Sequence, residues 1–196
     1  GNDVQSFWQG LVNGTSGAAD ITKFDATNFK TQFACEVKDF DVSQFLHRKE
    51  SRKMDLFAQY AIACSDEALA DAGLDGEEPN VDHDRVGVIW GSGIGGFQTF
   101  MNEALNFHES GGVPRFSPFF IPMMISDIAA GHISIRHGFR GPNFCTVSAC
   151  ASGTNAMIDA FNYIRLGKAE VMVTGGSEAA ITEGGIGGFN ALKALS

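Results

Sequence analysis

Positive charge is in short supply in this chain, where 14 Lys and Arg stand against 23 Asp and Glu for a net charge of −9. Binding to nucleic acid draws on an excess of cations to displace phosphate counterions, so the balance argues against that class. Cysteine is scarce too: Cys35, Cys64, Cys145 and Cys150 form no Cys-x-x-Cys pair and no Cys/His cluster at ligand spacing, so no metal site is expected. Cys145 and Cys150 lie an odd number of residues apart on what reads as one strand, which points their side chains to opposite faces and predicts reduced thiols. No apolar run is long enough to span a bilayer, and Gly1-Asn2-Asp3 carries no signal-peptide pattern. A cytoplasmic protein without membrane contact is expected, and there is neither an internal repeat nor a low-complexity stretch.

What the chain does hold is glycine, 24 residues that include five adjacent pairs near apolar runs, and phenylalanine, 17 residues against two tyrosines. The first predicts tight turns at strand ends and the second large dry surfaces. At 196 residues the chain can bury one good-sized core. Val4, Phe7, Trp8, Leu11 and Val12 share one face of a helix over 3–13 that Gly14 closes. Residues 21–42 read as loop with short strands. Ser51 can cap a helix in which Met54, Phe57, Ala58, Ala61, Ile62, Ala68, Leu69 and Ala72 recur up to Gly73. Arg48, Lys49, Arg52 and Lys53 then crowd its positive dipole end, at a cost of ~0.3–1 kcal/mol each. That crowding reads either as a solvated face paired with Glu50 and Asp55 or as a docking site kept for an acidic partner.

Val86–Trp90 is a buried strand running into Gly91-Ser92-Gly93-Ile94-Gly95-Gly96. The glycines satisfy G-x-G-x-x-G, the fingerprint of a dinucleotide site. Context argues against it, because the fingerprint needs a second strand ending in an acidic residue about 20 residues on. Here the helical stretch Phe97–Phe107 gives way to the loop 110–114, and Glu109 lies in no strand. Phe116–Pro122 reads as an extended, Pro-bounded aromatic interface, followed by a helix over 123–136. His132 and His137 fall on that apolar helix and read as core or interface residues, while His47, His83 and His108 read as surface.

Asn143–Cys150 reads as a strand, Ala151–Leu166 as a helix stopped by Gly167, and Val171–Thr174 as another strand. This βαβ unit, with its right-handed crossover, predicts a largely parallel sheet. Cys150 falls at the strand-to-helix turn, where a helix N-terminus favours thiolate over thiol. Gly153, without a Cβ, would let the helix pack close to the strand. The alternative is an inert buried cysteine.

Five stretches taken together resemble the β-ketoacyl-acyl carrier protein synthases of type II fatty acid elongation. They are 148–153 (Ser-Ala-Cys-Ala-Ser-Gly), 48–55 (Arg-Lys-Glu-Ser-Arg-Lys-Met-Asp), 91–96 (Gly-Ser-Gly-Ile-Gly-Gly), 117–120 (Ser-Pro-Phe-Phe) and 187–196 (Gly-Gly-Phe-Asn-Ala-Leu-Lys-Ala-Leu-Ser). The resemblance implies a thiolase-like, αβαβα-layered α/β fold, of which residues 1–196 would be the amino-terminal half, without the first strand and without the second half that carries two catalytic histidines. It implies Cys150 as the nucleophile that takes an acyl group from acyl carrier protein, before condensation with malonyl carrier protein and loss of CO2. Lys49, Arg52, Lys53, Arg115 and Lys193 would dock the carrier protein. Ile94, Phe120, Ala180, Gly185 and Phe189 would line the acyl pocket, with Phe120 reaching across a homodimer interface. Core packing for Ile94 and the aromatics, and turn geometry for Gly185, are the plainer readings. No cofactor is implied. A thiolase using coenzyme A and a non-catalytic chain-length partner remain as alternatives; the basic stretch disfavours the first and Cys150 the second. The 196 residues alone are expected to aggregate and not to condense acyl chains, because the sheet would lack a partner layer.

Overall fold

The computed structural model describes residues 1–75 and 81–195, so Ser196 of the last motif lies outside it. The chain divides into two compact units, Gly1–Asp41 with Ala180–Ser196, and Val42–Ala179.

In the first unit, α1 (Val4–Val12) starts where the Asp3 side chain accepts the Ser6 N–H at 2.7 Å. Its apolar residues form the expected helix, yet none is buried. Of the short strands expected in 21–42 the structure has β2 (Phe33–Ala34); its partner β1 (Ala19–Asp20) lies just before that stretch, and the two pair antiparallel with Ala19 opposite Ala34. Around them Ile21, Ala26 and Ile186 form a small core with Phe24, Phe29 and Ile181 against it. Ile186 belongs to α8 (Glu183–Ala191), which the Thr182 hydroxyl caps by accepting the Gly185 N–H at 3.0 Å.

The larger unit departs from expectation where the cationic stretch lies. The helix does not begin at Ser51: a four-residue α2 (Arg48–Ser51) comes first, closed by a reciprocal cap between His47 and Glu50, and the Ser51 hydroxyl donates back to the Arg48 carbonyl. The long helix α3 (Leu56–Asp71) is capped by Asp55, whose buried carboxylate outcompetes Ser51 because it also accepts the N–H and hydroxyl of Thr99. Arg52 and Lys53 therefore sit in the link between helices, and Arg48 and Lys49 on α2, rather than all four in the first turn of α3. The Asp55 carboxylate, not a cluster of cations, faces the positive end of the α3 dipole. Gly73 and Gly167, both at φ +67°, stop their helices in the left-handed conformation expected of them.

β3 (Val86–Gly91) lies between β4 (Asn143–Thr146) and β5 (Val171–Gly176), and both pairings are parallel. Alternation along β3 sorts its side chains to two faces. Val86, Val88 and Trp90 join Val173 in a core built with Phe57, Ala61 and Ile62 of α3 and Ala129, Ala130 and Ile133 of α6 (Ile128–His137). Ile89, with Phe144 and Met172, packs on Ala156 and Ala160 of α7 (Ser152–Arg165). The sheet is thus covered on both faces, contrary to the bare layer expected of it. Apolar exposure falls instead on the outer side of α7, where Met157, Ile158, Phe161, Ile164 and Leu166 are 45–68% exposed.

α4 (Phe97–Glu109) follows the glycine-rich turn, and no strand follows it before the 110–117 loop, in keeping with the argument against a dinucleotide fold. The aromatic segment is not extended through Pro122. A short α5 (Phe120–Met124) carries that proline in its first turn, where a missing N–H costs nothing. Nor do residues 123–136 form one helix: Ile125 turns extended at the end of α5, because the Met124 carbonyl accepts the Gly96 N–H at 2.9 Å instead of continuing the helix ladder. Only glycine permits this approach, since a Cβ on Gly96 would stand 2.1 Å from the Met123 carbonyl oxygen.

Candidate functional site

The site begins where β4 ends. The strand stops at Thr146, four residues before Cys150, and a single 3-10 turn, Ala149–Ala151, separates it from α7. Cys145 and Cys150 therefore do not share a strand, and strand alternation does not set their side chains on opposite faces; all four cysteines are nonetheless free. Cys150 is exposed. Ala149 before it has φ +51°, a left-handed conformation that a residue with a Cβ adopts only when its surroundings impose it. The imposing contacts are hydrogen bonds through Ser152, buried at 3% exposure: its hydroxyl accepts the Ser148 N–H at 2.9 Å and donates to the Ala149 carbonyl at 2.7 Å. Its own carbonyl accepts the Thr146 hydroxyl at 2.8 Å, and Asn155 donates to the Ser148 hydroxyl at 2.6 Å.

The close approach of α7 to the sheet depends on strand glycines, not on Gly153. A Cβ on Gly91 would stand 2.4 Å from the Ser152 carbonyl carbon and one on Gly176 2.9 Å from the Gly153 Cα, whereas a Cβ on Gly153 finds ordinary contacts from 3.6 Å. The cradle suggested by Gly91–Gly96 is occupied by the chain itself. Glu178, just after β5, accepts the N–H groups of Gly93 and Ile94 at 2.8 and 3.0 Å and the Ser92 hydroxyl at 3.3 Å. A carboxylate fills the place a phosphate would take. Sequence reasoning passed over Glu178, and an acidic residue directly after a strand ending in Gly-Gly was the signal available.

Two of the other thiols, Cys64 and Cys145, are pushed up from the ordinary thiol value. Burial first, then the Asp127 and Glu178 charges, push the Cys145 thiol up against one opposing backbone hydrogen bond. Cys64, exposed on α3, is pushed up by partial desolvation and then by Glu67. Cys35 is exposed in the smaller unit.

Among the histidines, His137 bonds Asp66 at 3.0 Å and stacks on Phe139, as a core residue would. His132 is half-buried, its Nε2 has no hydrogen-bond partner among the described residues, and burial pushes its pKa down. His47 caps α2 and His108 is exposed near the end of α4. His83 is not a plain surface residue: it is half-buried, meets the Gly138 carbonyl at 3.2 Å and packs edge-on to Phe139.

Lys49, Arg52, Lys53 and Arg115 are exposed in the larger unit. The Lys53 ammonium lies 5.1 Å from the centre of the Phe119 ring, which ties the cationic link to the aromatic segment. Phe120 is half-buried in a ladder of rings, 5.6 Å from Phe116 and 6.5 Å from Phe100. Ile94 is 39% exposed. Ala180, Gly185, Phe189 and Lys193 belong to the smaller unit. Gly185 there has a backbone reason to be glycine, because a Cβ would meet the Ala180 carbonyl oxygen at 2.0 Å. Lys193 is exposed at φ +56°.

Together these features define an α/β protein that presents a cysteine on a strained turn between a strand and a helix of a parallel sheet. The model of the β-ketoacyl synthase N-terminal domain matches residues 1–196, and the chain belongs to that family. Its fold is thiolase-like. The 3-oxoacyl-[acyl-carrier-protein] synthase 2 of Synechocystis sp. is 46% identical over all of this chain and 46% of its own length. The Staphylococcus aureus protein of that name is 45% identical over all of this chain and 48% of its own length. The chain thus spans about half the length of the curated relatives it matches. Among solved structures, the ishigamide ketosynthase/chain length factor superposes with TM-score 0.87 at 26% identity, over 99% of this chain and 48% of that one. A type II PKS acyl-carrier protein in complex with its ketosynthase bound to the hexaketide gives TM-score 0.72 at 27% identity, over 78% of this chain and 43% of that one.

Proposed function

We propose that this chain is the nucleophile-bearing part of a 3-oxoacyl-acyl carrier protein synthase, an acyltransferase of fatty acid elongation that needs no cofactor and works in the cytoplasm. The observation that carries the reading is the exposed Cys150 on its strained turn. Its thiolate attacks the thioester carbonyl of acyl carrier protein, and the tetrahedral intermediate collapses with the carrier's thiolate leaving. One thioester is exchanged for another, so the step is nearly balanced in energy and calls chiefly for an activated sulfur and donors to the oxyanion, among them the Cys150 N–H. Malonyl carrier protein then loses CO2, and its enolate attacks the acyl-Cys150 carbonyl. The Cys150 thiolate departs and a 3-oxoacyl carrier protein is released. The decarboxylating histidines are assigned to a part of the protein outside this chain.

Docking of the acidic carrier protein is assigned to Lys49, Arg52, Lys53, Arg115 and Lys193. Exposure of the first four in a chain of net charge −9, and the naming of relatives for carrier-bound substrates, favour a carrier protein over coenzyme A. Ile94, Phe120, Ala180, Gly185 and Phe189 are assigned to the acyl pocket, and a homodimer to the native assembly. The exposed apolar side of α7 supports a covered state. Incubating the full-length protein with acyl carrier protein loaded with a fatty acyl group should add that acyl mass to the Cys150 peptide and to nothing in a Cys150→Ala variant. An adduct elsewhere, or none, would overturn the assignment.

A further inference from the structure

We propose that Glu178 is a positioning residue that sets the shape of the turn after β3 and, through Ile94, the length of acyl chain accepted; this rests on the function proposed above. The carboxylate gathers most of that turn. Oε2 accepts from Gly93 and Ile94, Oε1 from the Ser92 hydroxyl, and that hydroxyl in turn accepts the Gly95 N–H at 3.1 Å. Three consecutive residues are thus held directly by one side chain, through hydrogen bonds strengthened by its charge, and Gly95 is held through the Ser92 hydroxyl.

The carboxylate is itself aimed by a rigid support. Ser177, its neighbour, donates its N–H to the Gly91 carbonyl at 3.1 Å. The Ser177 hydroxyl accepts the Trp90 indole N–H at 2.9 Å and donates to the Phe57 carbonyl at 2.8 Å, in the wall of the main core. On its other side the turn abuts the nucleophile's own turn, since a Cβ built on Gly93 would stand 3.3 Å from the Ala149 carbonyl oxygen. The turn therefore spans from the residue before Cys150 to Ile94, and a shift in it changes the distance between the thiol and the Ile94 side chain. A pocket that selects chain length by exclusion is sensitive to a shift of that kind.

Three variants of the full-length protein separate this role from general support of the fold. Glu178→Asp is one methylene too short to reach the Gly93 and Ile94 N–H groups, Glu178→Ala removes the acceptor, and Glu178→Gln keeps one oxygen for both. The readout is the ratio of acyl transfer to Cys150 (kcat/KM) for sixteen-carbon over six-carbon acyl carrier protein, with Ile94→Phe as the reference that lowers it. The Asp and Ala variants should change that ratio about tenfold, which is ~1.4 kcal/mol, and the Gln variant should stay near wild type. Equal loss for both chain lengths, with the ratio unchanged while Ile94→Phe moves it, would overturn the role of Glu178 and leave the proposed function standing. A wild-type protein that forms no acyl-Cys150 with either substrate would overturn both.

Discussion

The buried Asp55 carboxylate holds the starts of two helices, accepting the Phe57 N–H of α3 on Oδ1 and the N–H and hydroxyl of Thr99 of α4 on Oδ2 at 3.0 and 2.6 Å. Asp55→Ala should lower stability by about 2–4 kcal/mol, summing a lost cap and two orphaned donors; chemical denaturation of the full-length protein measures it, and a loss below about 1 kcal/mol would mean water replaces the bonds. Cys150 poses a kinetic question rather than a stability one. Brief sub-stoichiometric alkylation near neutral pH should label it ahead of Cys64 and Cys145, whose thiols are pushed up. Mass mapping reads the outcome, and preferential labelling of Cys35 or Cys64 would sink the nucleophile assignment. His132 adds a pH dependence. Burial depresses its pKa, so the unfolded chain takes up the proton first. Its contribution is complete above about pH 6.5 and is lost as pH falls from there through the depressed native value. Melting temperature against pH should show this loss in wild type and a flatter profile in His132→Asn.

At the scale of elements, the β3–α7 contact decides where Cys150 sits. Gly91→Ala would drive its Cβ against backbone at 2.4 Å and should cost about 1–3 kcal/mol while abolishing acylation of Cys150. Gly153→Ala has room and replaces a poor helix former, so it should be neutral or stabilise by up to about 1 kcal/mol. Comparing the two by denaturation and acyl mass isolates strand-to-helix distance from helix propensity; equal damage would mean that the approach is not what glycine provides. The link between α2 and α3 is tested by charge. Reversing Arg52 and Lys53 to Glu should raise KM for carrier-bound substrate and weaken its salt dependence, and unchanged kinetics would leave those cations as a solvated face.

For the whole molecule, the weight falls on apolar surface outside the cores. α1 buries none of its residues, and the outer side of α7 adds Met157, Ile158, Phe161, Ile164 and Leu166. The 196 residues expressed alone should self-associate and should at most acylate Cys150 without condensing. Light scattering and product analysis would check this. A monomer that melts cooperatively and turns over malonyl carrier protein would show that a histidine of this chain performs the decarboxylation.

By itself the sequence determined the elements whose information is local. Period and punctuation located β3, α7 and β5, the stops at Gly73 and Gly167, and the position of Cys150 between a strand and a helix. Five motifs in order named the family. Only the tertiary structure decided which partner each polar group takes. Asp55 rather than Ser51 caps α3 because Thr99, far along the chain, shares its carboxylate. The helix after Pro122 breaks because Gly96 claims the Met124 carbonyl, and the glycine-rich turn holds Glu178 instead of a phosphate. Helical period is written within a few residues, but competition for a hydrogen bond is settled between residues about which neighbouring sequence is silent.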